Sequence, residues 1–198
     1  MIPETVARLR TECGLPVDPS RRGPVPLNRF FEELSTPRVA HRAIPTLTLG
    51  KVEAHLRSEG VEVADLGEPN LRVDGLLFRL GGAAWAYVSD DERNPLPRRR
   101  FTAAHELGHA VLHGRAMGRV VIDETIEPNS KDPIEREANR FAVELLMPAE
   151  VCRARAEELR AEYRACPRGV LIYRLAAELL VSAEALRYRL DELGVGDD

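Results

Sequence analysis

The stretch FTAAHELGHAVLHG, residues 101–114, places His105 and His109 four positions apart, with Glu106 directly after the first histidine. Prolines just before the stretch exclude a helix earlier than about residue 98, and Gly114 suits the position that follows a helix end. Apolar residues recur at helical spacing along it, and both histidines lie at the edge of that apolar face. The stretch therefore predicts a helix that packs on the core and presents its histidines to a cleft.

This helix brings two imidazoles together. Residues four apart on an α-helix differ by about 40° in direction and about 6 Å in height. Two imidazoles so placed converge on one point, which suits Zn²⁺ and its bonds of about 2.0–2.1 Å to histidine nitrogen. Glu106 lies about 100° further round, where a carboxylate can take a proton from water without binding the metal. We therefore predict a metal site at His105 and His109 with Glu106 as its catalytic base.

A catalytic metal of this kind needs a third protein ligand. His113 is the nearest further histidine, but it lies about 12 Å along the helix axis from His105 and cannot share a metal with it. Its predicted role is a supporting contact behind the ligands or a contact with the substrate. The sequence leaves this open against a plain surface histidine.

The helix predicted over residues 134–147, IEREANRFAVELLM, offers two glutamates as the third ligand. Glu135 lies about 50° from the centre of the buried face of this helix, and Glu137 lies about 110° away. We therefore predict that Glu135 is the third metal ligand and that Glu137 faces solvent. Asn139 follows Glu135 by one helical turn, where it can hydrogen-bond a neighbouring ligand and hold it in place.

Together, RFTAAHELGHAVLHG and EREANRFAVELLMP closely resemble the ImmA/IrrE family of bacterial zinc-dependent peptidases. That family pairs R-F-T-x-A-H-E-x-G-H with a downstream E-x-x-A-N-x-F-A-x-x-L-L-M-P, and both patterns occur here in that order. The resemblance runs from about residue 50 to residue 190 and does not cover residues 1–49. It implies that His105, His109 and Glu135 bind the metal and that Glu106 is the catalytic base.

The same resemblance implies a function. Members of the family are expected to cleave helix-turn-helix repressors and so to derepress phage, mobile-element or stress genes. We therefore expect a zinc-dependent metallopeptidase with a gluzincin-like His/His/Glu ligand set and one specific protein substrate, a helix-turn-helix repressor encoded nearby. Zn²⁺ suits imidazole and carboxylate ligands best, and Mn²⁺ can replace it in such sites.

The expected fold class is α+β and zincin-like. DGLLFRLGG and AAWAYVSD predict an antiparallel strand pair that turns at Gly81 and Gly82, while VEVADL and GRVVID predict further strands. We expect this small antiparallel sheet to pack against the histidine helix and the second ligand-bearing helix, followed by a helical C-terminal tail that breaks near Val181 and Ser182. Residues 1–49, rich in Pro and Arg, predict an N-terminal extension, and residues 50–198 the metallopeptidase domain.

Composition excludes several other classes. The chain has 198 residues, with 44% hydrophobic and 30% charged residues, as in ordinary globular proteins. A net charge of −4 gives no general attraction to nucleic acid or to an anionic membrane surface. We find no apolar run of membrane-spanning length and no signal peptide, and the three cysteines contain no Cys-x-x-Cys pair. These features predict a cytoplasmic protein with reduced thiols and no membrane partner.

Two rival functions compete with the peptidase. RLAAELLVSAEALRYRLDELG scans like a helix-turn-helix, but residues 166–198 hold four arginines against six acidic residues, which disfavours direct DNA binding. The second rival is a catalytically silent fold that serves as an interaction module. Glu106 argues against it, because a purely structural metal site has no use for that carboxylate.

The sequence leaves two features of substrate handling open. The donor that stabilises the oxyanion is not identified, and His113, Tyr87 and the run Arg98–Arg100 are all candidates. We also expect an edge strand from the sheet in residues 71–89 to hold the substrate chain in an extended conformation.

Overall fold

The computed structural model describes residues 1–114, 120–124, 126, 130–163 and 166–196. Within these residues the chain alternates helices with the strands of one small sheet. In chain order the elements are α1 Ile2–Glu12, α2 Leu27–Glu33, β1 Arg38–Ile44, α3 Leu49–Ser58, β2 Gly75–Leu80, β3 Ala83–Ser89, α4 Leu96–Leu112, β4 Val120–Asp123, α5 Pro133–Leu146, α6 Ala149–Glu162, α7 Arg168–Leu179 and α8 Ala183–Glu192. The predicted fold class, α+β with a zincin-like arrangement, is confirmed.

The sheet has the strand order β1-β3-β2-β4. The predicted β2–β3 pair is antiparallel, and β4, which covers the described part of the predicted strand GRVVID, runs antiparallel to β2. Residues 118 and 119 of that predicted strand lie outside the described residues. The sheet also contains β1, which the sequence did not predict and which pairs with β3 in parallel. Because β2 and β3 each have strands on both sides, the edges of the sheet in the described part of the chain are β1 and β4 and not the 71–89 hairpin.

The predicted strand VEVADL, residues 61–66, is wrong. These residues form no strand, and instead they finish the turn after α3. The Val61 amide donates to the Leu56 carbonyl at 2.9 Å, and the Leu66 amide donates to Glu53 Oε1 at 2.9 Å. The first and last amides of the segment therefore bond to α3 and not to a neighbouring strand, although its alternating apolar residues favour a strand.

The two faces of the sheet pack on different partners. One face contributes Leu77, Ala86 and Val88 to the main core, which also includes α4 and α5. The opposite face contributes Leu76, Phe78 and Tyr87 to a second apolar cluster with α3. Tyr87 therefore points away from α4, and the Tyr87 hydroxyl lies 2.9 Å from His55 Nδ1. This placement removes Tyr87 from the candidates for oxyanion stabilisation.

Helices α4 and α5 approach each other closely. A Cβ on Gly108 would lie 3.1 Å from Phe141 Cδ1, so the glycine lets the two helices meet along this line. Helix α4 begins at Leu96, slightly before the predicted limit of residue 98, because Pro97 falls in the first turn, where no backbone donor is lost. The Asp132 side chain accepts from the Ile134 amide and caps α5, and Pro148 follows the end of that helix.

Residues 1–49 pack onto the same core as the rest of the chain. Val6 and Leu9 of α1 and Phe30 of α2 are buried in the main cluster. The Arg10 guanidinium donates to the Leu145 carbonyl near the end of α5 at 3.2 Å. The division of the chain into an extension and a domain at residue 49 stays a prediction about folding units.

The C-terminal tail forms two helices, as predicted. Helix α7 ends at Leu179, Leu180 takes a left-handed conformation with φ of 52°, and Ser182 caps α8. The three cysteines are free thiols, as expected. Among the described residues, no helix is long and apolar enough to span a membrane.

Buried Arg189 ties this tail to α5. Its guanidinium donates to both carboxylate oxygens of Glu144, at 3.2 and 2.6 Å, and to the Met147 carbonyl at 3.0 Å. Only 2% of Arg189 is exposed, so its charge depends on these partners. Arg187, two positions earlier, is exposed, and its ion pair with Asp191 is long, at 3.9 Å.

We expect Arg189→Met to destabilise the fold by about 3 kcal/mol, the lower end for a broken buried pair, because Glu144 then keeps only the partly exposed Arg140 as a partner. Arg187→Met is the matched control and should change the free energy of unfolding by at most about 1 kcal/mol, as for an exposed ion pair. Urea unfolding followed by circular dichroism measures both values. Equal stability of the two variants would contradict the anchoring role of Arg189.

Candidate metal centre

Helix α4 buries His105, Glu106 and His109 completely. One helical turn separates the two imidazoles, and their Nε2 atoms lie 2.9 Å apart. The helix thus directs both Nε2 atoms to one point, as the i, i+4 spacing predicts. Glu106 stands beside this point on the same helix.

Helix α5 brings Glu135 to the histidine pair. Its carboxylate oxygens lie 3.2 Å from His105 Nε2 and 3.4 Å from His109 Nε2. Glu137, by contrast, has 54% of its side chain exposed and contacts neither of these nitrogens within salt-bridge distance. The structure therefore brings Glu135, and not Glu137, to the point where the imidazoles meet.

Two further residues contact the imidazoles from behind. Asn139 Oδ1 lies 3.0 Å from His105 Nδ1, and His113 Nδ1 lies 3.2 Å from His109 Nδ1. His113 is buried, and its Nε2 lies 3.0 Å from Glu137 Oε2. His113 is therefore not a surface histidine, and its place behind His109 matches the supporting contact that the sequence left open.

Asp123 of β4 also belongs to this cluster, although the sequence did not predict it. Its Oδ2 lies 3.5 Å from His105 Nε2, and only 8% of the residue is exposed. Its position depends on strand pairing, because β4 lies beside β2 and sets Asp123 opposite Gly75. The one local signal is the alternation in VVID, which puts Asp123 on the same face as buried Val121.

Gly75 makes room for Glu106. A Cβ on Gly75 would lie 2.1 Å from Glu106 Oε1 and 2.8 Å from Thr102 Cγ2, so any other residue would displace the carboxylate. Neither oxygen of Glu106 has a hydrogen-bond partner among the residues described. Burial raises the pKa of Glu106 well above 4.5, and the nearby charges of Asp123 and Glu135 raise it further.

The donor set fits a metal cation. A carbonyl oxygen accepts hydrogen bonds, so Asn139 Oδ1 holds the hydrogen of His105 on Nδ1 and leaves a lone pair on Nε2. That lone pair faces His109 and the carboxylates of Asp123 and Glu135. Because these groups all present electron pairs to one another, a cation or a proton must lie between them. Burial lowers the pKa of His105, but Asp123 and Glu135 outweigh burial and raise it from 6.5 to about 9. One donor atom from each of these four residues lies within 4.8 Å of all the others.

This arrangement also shifts the pKa of Glu135. The two histidines hold the pKa of its carboxyl well below the usual range, against the opposing effect of burial. Glu135 is therefore a carboxylate at neutral pH. Imidazole nitrogen and carboxylate oxygen are together the usual ligands of zinc outside thiolate sites.

A histidine pair on one helix, faced by a carboxylate from a second helix beside a small sheet, defines the zincin-like class of metallopeptidase folds. The model of the family described as Peptidase_M78, IrrE N-terminal-like domain, matches residues 90–191. This match covers both α4 and α5 and more than half of the chain. The chain therefore belongs to this family, as the sequence motifs indicated.

A phage protein shares part of the sequence. The chain is similar to "Uncharacterized immunity region protein 2" of Bacillus phage phi105, with 52% identity over 50 residues. The shared part is 25% of this chain and 30% of the phage protein. The chain therefore spans less than a third of that relative's length.

The two glutamates of α5 allow a matched test of the geometry. We expect Glu135→Ala to weaken zinc binding by more than about 100-fold, because its oxygens lie against both imidazoles. Loss of a residue that only supports a ligand typically costs about 10–100-fold. Glu137→Ala should change the affinity less than tenfold, since its carboxylate reaches the centre only through His113. Competition with a chromophoric zinc chelator measures both affinities. An emptied site in Glu137→Ala together with a normal site in Glu135→Ala would refute the assignment.

Proposed function

We propose that the protein is a zinc-dependent endopeptidase that cleaves one specific protein substrate, a helix-turn-helix transcriptional repressor, in a stress or mobile-element response. The observation that carries this proposal is Glu106. Its carboxylate is fully buried beside the converging imidazoles, and no residue in the described part of the chain satisfies its oxygens. A site that served only to hold the fold together would not need this carboxylate.

His105, His109 and Glu135 would hold the metal in this proposal, with Zn²⁺ as the physiological ion and Mn²⁺ as a substitute. When bound, the metal supplies Lewis acidity that polarises a peptide carbonyl and lowers the pKa of water. Asn139 keeps the hydrogen of His105 on Nδ1, and so it orients Nε2 towards the metal. His113 holds His109 from behind in the same way.

Glu106 would act as the general base. It follows His105 on the same helix, about 100° further round the axis. It can therefore reach the water that attacks the peptide bond without binding the metal itself. Its carboxylate accepts a proton from that water and returns it to the leaving amine. Burial supports this role, because a carboxylate outside bulk water is a stronger proton acceptor than an exposed one.

The repressor substrate rests on the family and on the phage relative. The name of that relative places it in the immunity region of a phage, and we infer that a repressor of phage genes is encoded in the same region. A peptidase of this family beside such a repressor would end repression by cutting it. We place the protein in the cytoplasm, because a DNA-binding substrate is found there.

Direct DNA binding is the weaker alternative, although α7 and α8 form a helix pair joined by a short turn. Two of the four arginines of α7 and α8 are engaged within the protein, since Arg189 is buried against Glu144 and Arg168 pairs with Asp191. The other two, Arg174 and Arg187, are exposed. Phosphate contacts need free cationic side chains on one face. The arrangement of these arginines favours a tail that braces α5.

Two substitutions separate the base from the metal site. Glu106→Gln should keep metal affinity and lose about 10²–10⁴-fold in kcat, because an amide cannot accept the proton. Gly75→Ala should also lower kcat with the metal retained, since the added Cβ displaces the Glu106 carboxylate. Gly82→Ala is the control, because a Cβ there meets nothing within 4 Å. Full activity in Glu106→Gln would exclude Glu106 as the base.

The substrate class can be tested by comparing two proteins. We expect the zinc-loaded protein to cut a helix-turn-helix repressor encoded beside its gene at one or two sites and to leave casein almost intact. A cytoplasmic peptidase needs this selectivity, and binding contacts remote from the scissile bond can provide it. Mass spectrometry maps the fragments, and the Glu106→Gln protein serves as the control for contaminating proteases. Rapid digestion of casein would contradict the narrow specificity.

A further inference from the structure

Asp123 is a buried carboxylate that the function proposed above does not use. It is more than nine-tenths buried, and its Oδ2 has no hydrogen-bond partner within the described ranges. That oxygen points into the metal centre, 3.5 Å from His105 Nε2. A buried charged oxygen without a partner is costly, so its position needs a physical reason.

The backbone holds Asp123 firmly at this place. Its carbonyl oxygen accepts from the Asp74 amide at 2.9 Å, and the residue pairs with Gly75 in the β2–β4 ladder. Strand alternation then directs its side chain to the face that α4 covers. The carboxylate is therefore a fixed part of the wall opposite the histidines.

The four donor groups lie close enough together to share one metal ion. Bonds of 2.0–2.2 Å to a central zinc ion put neighbouring donors of a tetrahedron about 3.3–3.6 Å apart. The two imidazole nitrogens lie 2.9 Å apart, Glu135 Oε2 lies 3.2 Å from His105 Nε2 and Glu135 Oε1 lies 3.4 Å from His109 Nε2. Asp123 Oδ2 lies 3.5 Å from His105 Nε2, within the range of two ligands of one ion. Asp123 therefore lies within reach of an ion held by the other three residues, where it could take the fourth position that a catalytic zinc site usually leaves to solvent.

We propose that Asp123 is a fourth protein ligand, so that the resting centre is closed by two imidazoles and two carboxylates. This inference rests on the proposed metallopeptidase function and extends it. A metal with four protein ligands is inactive at rest, because it has no open coordination position for substrate or water. Such a position arises only when Asp123 leaves the metal or when the metal takes a fifth ligand. Binding of the substrate would then free the coordination position that the reaction needs. Such activation by the substrate suits a peptidase that must spare other cytoplasmic proteins.

The first test measures metal affinity. We compare Co²⁺ binding to the wild type, Asp123→Asn and Asp123→Ala, using a competing chromophoric chelator. Asp123→Asn keeps the shape of the side chain, so that a loss of binding in it does not come from misfolding. Glu124→Gln is the control, since it removes one exposed carboxylate at the next position. We expect at least a tenfold loss of affinity in both Asp123 variants and less than a threefold change in the control.

The second test distinguishes a ligand from a residue that acts through a ligand. The visible spectrum of the Co²⁺-loaded protein is recorded from pH 6 to pH 9 in a Glu106→Gln background, which removes the titration of that neighbour. With Asp123 present the shell is closed and the spectrum should not change with pH. In Asp123→Ala solvent enters the fourth position and ionises near neutral pH, so the spectrum should titrate.

The outcomes separate this inference from the function on which it rests. Failure of the wild type to bind metal would overturn the proposed peptidase and the role of Asp123 together. Tight binding in the wild type with the same affinity in both Asp123 variants would overturn only the fourth ligand. The same pH titration with and without Asp123 would also overturn it, because it would show that solvent already holds the fourth position.

Discussion

The close approach of α4 and α5 at Gly108 is the constraint on which the rest of the structure depends. The absence of a side chain at Gly108 lets Phe141 lie directly against α4. A Cβ added at Gly108 would lie only 3.1 Å from Phe141 Cδ1. At this separation Glu135 of α5 reaches both imidazoles of α4, and Asn139 reaches His105 from the other side. A wider gap would leave the histidines without their third partner.

The remainder of the chain keeps this pair of helices in register. Arg100 of α4 donates to the Val25 carbonyl, Arg10 of α1 donates to the Leu145 carbonyl of α5, and Arg189 of α8 donates to the Met147 carbonyl that follows α5. These three arginines come from different parts of the chain and are bound by backbone oxygens. The N-terminal residues and the C-terminal tail thus brace the helices that carry His105, His109 and Glu135. This bracing matters because a displacement of about 1 Å in such a site is enough to impair chemistry.

The sequence predicts the helical part of the centre well and the sheet part poorly. The positions of His105, His109 and Glu135 follow from helical angles, which depend only on spacing within one segment. Asp123 and Gly75 face the same point because β2 and β4 pair, and such a pairing between distant segments leaves almost no local trace. Strand β1 was missed for a related reason, since only Val39 of its seven residues is buried and the alternation that predicts strands is absent. His113 could not be placed because its burial depends on how α4 packs.

We expect α4 and α5 together to form one metal centre at the Nε2 atoms of His105 and His109. The decisive experiment is anomalous diffraction at the zinc absorption edge, from crystals of the zinc-loaded protein. We predict one strong anomalous peak within about 2.0–2.2 Å of both Nε2 atoms and of a Glu135 oxygen. A zinc ion bound at other residues, or a fully loaded protein with no peak between the two helices, would contradict it.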